Sequence, residues 1–179
     1  AFWQIRNNVP HFPVTGQTTS YVTGDDGELQ RGVPRTFTLL GTGQYSGSTN
    51  ITVNAKVESL SNGVAIDSVT ELMWTRERCN QIGPSSNGAL LWTDAVNDET
   101  PFEYMTQANA ASYAGHTDWR VPNASELWSL MQMEGPTPYI DTTVFSNLAG
   151  LNGTWSSTTY KTTPANAYYA AWSTGSLVN

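Results

Sequence analysis

The sequence predicts an α+β chain in which two short helices pack on small antiparallel sheets, with an extended arm at the N-terminus. Three observations carry this. Two segments hold full helix-start signals, short β-patterned runs lie on both sides of them, and a composition rich in Gly, Ser, Thr and Asn interrupts regular structure often. The 179 residues suffice for one well-buried core. They divide into an arm and β-rich extension over residues 1–60 and one main domain over residues 61–179.

From Ala1 to about Thr19 there is no helical period, but Phe2, Trp3, Ile5, His11 and Phe12 stand among two prolines. Such an apolar strip must dock on its own domain or on a neighbouring subunit, which makes Phe2, Trp3, Ile5 and Phe12 candidate assembly residues. Thr23 to Glu28 joins turn glycines to three carboxylates. A tight turn is the expectation, because the alternating oxygen ligands of a calcium loop are missing.

Thr36–Leu40 and Ile51–Val53 read as strands joined by a Gly-rich loop, and the alternation from Ile51 to Asn54 suits an antiparallel ribbon wet on one face. Gly41-Thr42-Gly43 lacks the third glycine and following helix of a nucleotide loop. Val64–Trp74 reads as a strand, a turn at Asp67-Ser68 and a second short strand.

The first helix opens at Thr100-Pro101-Phe102-Glu103: a capping hydroxyl, Pro at the first helical position and Glu at the third. Met105, Ala108 and Ala111 or Ser112 share a face, and Gly115 is the expected left-handed terminator. The second helix opens at Asn123-Ala124-Ser125-Glu126, turns Leu127, Leu130 and Met131 inward, and stops at Gly135 before Pro136. Thr154–Tyr160 and Ala167–Ser173 read as closing strands.

Charged residues make up 13% and aromatic residues 11% of the chain, so its polarity rests on hydroxyls and amides, as in extracellular proteins. The net charge is -7 and the eight Lys and Arg never cluster, which argues against nucleic acid as a partner. No apolar run approaches the ~20 residues of a membrane span. The single Cys79 allows no intrachain disulfide and reads as a small buried hydrophobe. Three Asn-x-Ser/Thr matches, at Asn50, Asn123 and Asn152, are expected by chance in so Asn- and Thr-rich a chain. Two His residues without zinc-ligand spacing, no nucleophile elbow, and Asp94, Asp98 and Glu99 on an expected loop predict no catalytic set, no metal and no cofactor.

Five blocks in order, Val69-Thr70-Glu71-Leu72-Met73-Trp74, Trp92-Thr93-Asp94-Ala95, Gly115-His116-Thr117-Asp118-Trp119-Arg120-Val121-Pro122, Glu126-Leu127-Trp128-Ser129-Leu130 and Trp155-Ser156-Ser157-Thr158, resemble the Lcl C-terminal domain family, also called domain of unknown function 1566. The likeness runs from about Asp67 to the C-terminus. It implies a C-type-lectin-like fold, related to formylglycine-generating and phage tropism-determinant domains, of the kind displayed on bacterial surface adhesins and phage particles. Where the family has Thr-Gly before Leu-Met-Trp, this chain has Thr70-Glu71. Its segment between Trp92 and Gly115 is also longer, and the cysteine usual in the first helix is missing.

Within these blocks Trp74, Trp92, Asp118, Trp119, Arg120, Pro122, Glu126 and Trp155 are expected to be structural. Trp119 would plug the core, and Arg120 would make a bidentate bond to a carboxylate such as Glu126, with a grip on an anionic ligand as the alternative. The candidate ligand residues are Tyr160, Asn166, Tyr168, Tyr169 and Trp172, whose rings can stack on sugars or on protein, with strand packing as the alternative for Tyr168 and Trp172. The expectation is a non-catalytic adhesion module, extracellular on a cell surface or virion, that binds a cell-surface glycan or protein receptor. The alternative is a structural subunit of a fibre, filament or virion decoration, joined to its own copies or a neighbouring structural protein through the arm. An oxidase like the formylglycine-generating enzymes is disfavoured, since those use two cysteines.

Overall fold

The computed structural model describes residues 12–30, 32–41, 43–44, 46–48, 50–53, 56–59, 63–76, 90–93, 99–146, 148 and 153–178. Phe2, Trp3, Ile5, His11, Cys79, Asp94, Asp98 and Asn152 lie outside them. Among the described residues no helix is long and apolar enough to cross a membrane.

The fold is α+β. Strands β1 (Phe37–Leu40), β4 (Val64–Asp67) and β5 (Met73–Thr75) form one antiparallel sheet in the order β1-β4-β5. Strands β2 (Asn50–Val53) and β3 (Lys56–Ser59) form a two-stranded ribbon, and β6 (Thr154–Tyr160), β7 (Thr163–Ala171) and β8 (Ser176–Val178) form a third sheet in sequence order. One-turn α1 (Asp26–Leu29), α2 (Pro101–Ala110) and α3 (Ala124–Ser129) complete it, with a 3-10 turn at Tyr113–Gly115.

Successive residues of a strand face opposite sides, and β4 is buried on both. Val64 packs with Ile51, Val53, Tyr104, Ala108 and Tyr113. Ala65 packs with Leu127, Leu130, Ile140, Phe145, Ala170 and Trp172 in a second core. The boundary expected at residue 60 therefore does not separate two cores, because β1 pairs with β4 across it and β2 lies in the Val64 core. On the Ala65 side, fully buried Asp67 accepts from Arg35 Nε at 3.2 Å, the Val69 amide at 2.9 Å and Thr70 Oγ1 at 2.7 Å, and Arg35 also donates to the Ser129 carbonyl. That cluster ties the segment ahead of β1, the turn after β4 and α3 together. Burial pulls the Arg35 pKa down, against the opposing pull of Asp67.

The helix starts are as the sequence predicts. Thr100 Oγ1 accepts from the Glu103 amide at 3.2 Å, and Asn123 and Glu126 close a reciprocal capping box. Both helices end earlier than their glycines imply. After α2 the left-handed residue is Ser112 (φ 50°), and Gly115 (φ 80°) ends the following 3-10 turn. The Ser46–Ser48 loop crowds this point, donating the Ser48 amide to the Ala111 carbonyl. After Leu130 the chain leaves helical geometry because Gln132 and Met133 donate their amides to Tyr139 and Thr15 instead. The buried stripe of α2 runs through Pro101, Tyr104 and Ala108, with Met105 only half-buried.

Residues 12–19 dock on their own chain. Val33 donates its amide to the Phe12 carbonyl, the Val14 amide donates to Val33, and the Glu134 carboxylate accepts from the amides and hydroxyls of Thr18 and Thr19. Phe12 itself is 80% exposed. The Thr23–Glu28 turn becomes α1: Asp25 caps it, Asp26 accepts from Thr15, and Glu28 accepts from the Gly24 amide.

Candidate functional site

The Asp118–Val121 segment leads into α3, and α2 fixes it from the side. Asn109 donates Nδ2 to the Trp119 carbonyl at 2.8 Å and accepts the Trp119 amide on Oδ1 at 2.7 Å, so one side chain closes both main-chain groups. The Trp119 indole donates to the Tyr113 carbonyl at 2.8 Å, and its ring lies 5.2 Å from that of Tyr113. Trp119 is thus anchored half-buried against the edge of the Val64 core, where the sequence predicts a plug within the core.

Arg120 turns outward and grips Glu126 with both Nη groups, at 2.8 and 2.5 Å, in the bidentate pair expected from the sequence. Hydrogen bonding by Arg120 holds the Glu126 carboxyl below its ordinary range, and the same bond raises Arg120. Asp118 is nearly fully exposed, 3.9 Å from His116 Nδ1. Pro122 accepts the Ser157 amide on its carbonyl at 2.8 Å.

A groove of about 410 Å3 opens between α2 and this segment. Phe102, Met105 and Thr106 line one side, and Trp119, Arg120 and Val121 line the other. Asn109 and Ser157 also border it. Ser157 reaches it through an irregularity in β6: pairing with β7 shifts register between Trp155 and Thr159, while Ser156 Oγ donates to the Tyr168 carbonyl at 2.8 Å. Bulged strands commonly re-aim a side chain in this way.

From Phe102 an aromatic run leads away from the groove. Its ring lies 5.0 Å from Trp92, Trp92 lies 5.9 Å from Trp155, and Trp155 lies 5.3 Å from Tyr169, its cross-strand partner. The Trp155 indole donates to the Leu90 carbonyl at 2.9 Å, which fixes the run to the 90s segment. Phe102 is 45% exposed, so this end of the run meets solvent.

The five expected ligand residues do not form one surface. Tyr169 joins the aromatic run, whereas Tyr160 and Tyr168 pair with each other at 5.3 Å and Asn166 is exposed on β7. Trp172 must be withdrawn from the set: it is fully buried in the second core, with its indole donating to Thr154 Oγ1 at 2.9 Å. Trp74 is likewise half-buried against that core. Glu99 is buried on Lys56 at 2.6 Å. Among the described residues no three His, Cys, Asp or Glu side chains converge as a metal site.

Sequence reasoning missed Phe102, Met105, Asn109 and Ser157 as groove residues. Two signals were present. Asn109 is a poor helix former inside α2, and Phe102 falls off the buried stripe of the same helix.

No curated protein and no solved structure matches the chain significantly. The groove and its flanking Trp119–Glu126 and Trp155–Thr158 segments all lie in the part of the chain, residues 63–179, that matches the model of the Lcl C-terminal domain, and the chain belongs to that family.

Proposed function

We propose that this chain is a surface-displayed binding module on a C-type-lectin-like scaffold, which recognises a glycan or protein receptor at a bacterial or phage surface and does not transform it. The observation that carries the reading is the groove, with an apolar wall, a few fixed polar groups at its lip, and an aromatic run leading from it. This is the make-up of a recognition site. A glycan array combined with a panel of host-cell extracts tests it. Saturable binding that falls when Trp155 is replaced by Ala supports the reading, and turnover of a ligand would sink it.

Assembly through the N-terminal segment is a second reading, favoured by the exposure of Phe12, Tyr21 and Val22. Light scattering on the full chain and on a Phe12→Ser variant tests it. A discrete oligomer that dissociates in the variant supports assembly; a monomer in both opposes it.

A further inference from the structure

Resting on the binding-module reading, we infer that the groove between α2 and Trp119–Val121 takes an uncharged sugar ring, with the C–H face of the ring on Phe102 and Met105 and its hydroxyls on Arg120 and Ser157. Three observations lead there.

The first is shape and polarity. Phe102, Met105 and Val121 supply an apolar surface, while Arg120 and Ser157 stand at the lip. The volume of about 410 Å3 falls in the range of small-ligand sites. A sugar offers the matching combination, since its C–H face stacks on a ring while its hydroxyls both donate and accept.

The second is charge. Both Nη groups of Arg120 are held by Glu126, and Glu126 also accepts the Asn123 amide at 2.8 Å. An anionic ligand therefore meets an Arg120 charge already neutralised by the carboxylate that caps α3. Exposed Asp118 beside it and the net charge of -7 oppose an anion further. A guanidinium has five N–H donors, so Arg120 can still donate to a neutral hydroxyl without releasing Glu126.

The third is the main chain around the groove. The Trp119 amide and carbonyl are both closed by Asn109, and the Ser157 amide is taken by Pro122. A peptide that binds by adding a strand finds these three groups taken. The side chains lining the groove offer hydroxyls, a guanidinium and a ring face, and these suit a sugar.

The test is calorimetric titration of the full chain with three classes of probe: lactose, maltotriose and N,N′-diacetylchitobiose as neutral sugars, a heparin tetrasaccharide as the anion, and a tyrosine-rich decapeptide. NMR follows the Trp119 indole N–H in each titration. The expected result is that at least one neutral sugar binds, shifts that signal, and weakens about tenfold in Phe102→Ala. Phe102 is half exposed, and an unchanged melting temperature certifies that the variant is folded. Neutral-sugar affinity unaltered in Phe102→Ala, or tighter binding of the heparin fragment or the peptide, overturns the inference while leaving a binding module in place. No binding by any class overturns the inference, and the glycan array and host-cell extracts then decide the wider reading.

Discussion

Asn109→Ala asks whether α2 holds the Trp119 segment in place. The substitution removes two hydrogen bonds, 2.7 and 2.8 Å long, to the main chain of a half-buried residue. A buried polar group left unpaired costs about 1–3 kcal/mol, and with water reaching one side of this segment the two together cost about 3 kcal/mol. Against this, Ala is the best helix former and Asn a poor one, which returns roughly 0.5–0.7 kcal/mol. The expected net loss is about 2–3 kcal/mol. For a chain of this size that lowers Tm by roughly 5–10 °C. Urea unfolding is the assay: the midpoint should fall at constant slope, and the Trp119 indole resonance should move in the folded protein. A variant as stable as the parent, or more so, would refute the reasoning, because packing on Tyr113 and the indole bond would then suffice.

Three further predictions concern other parts of the molecule. Glu71 has a left-handed backbone (φ 59°), so Glu71→Gly should raise the unfolding free energy by about 0.5–1 kcal/mol in chemical denaturation, and a loss of stability would contradict this. Asp67→Asn leaves the partly buried Arg35 without its counter-charge and should cost about 3 kcal/mol in the same assay; a loss below about 1 kcal/mol would mean that Arg35 finds water instead. The Glu134 carboxyl is held at about 2, chiefly by the Thr19 hydroxyl and the Thr18 and Thr19 amides. A depressed carboxylate pKa stabilises the fold above the ordinary glutamate value of 4.5 and stops doing so as pH falls through 2. Protection of the Thr18 and Thr19 amides, taken relative to their intrinsic exchange rates, should therefore fall as pH drops between these limits in the parent, and Glu134→Gln should abolish that fall.

What could be read from the sequence was local. The caps at Thr100 and Asn123, the turn after Asp67 and the Arg120–Glu126 pair all join residues within six positions of one another, and residue type and spacing sufficed to place them. Contacts between distant segments were not legible. Nothing in the pattern of Phe37–Leu40 says that it pairs with Val64–Asp67 and not with the ribbon next to it in sequence, and nothing near Thr18 points to Glu134. Trp172 and Tyr169 look alike as aromatic positions near a closing strand, yet one fills a core and the other stacks on Trp155. The groove escaped notice because the two signals it left, a poor helix former at Asn109 and an off-stripe Phe102, point to no site until α2 is laid against Trp119. The Glu71 departure was visible as a missing glycine, and its left-handed backbone supplies the physical reason why glycine would suit that position.

The strand that divides the two cores has a practical consequence for anyone trimming the gene. A fragment starting at residue 63, where the family match begins, would keep β4 but discard β1, baring a row of amides and carbonyls on the middle strand of its sheet. It would also strip Asp67 of its cation. Such a fragment invites edge-to-edge aggregation, and a soluble truncation should begin ahead of Arg35.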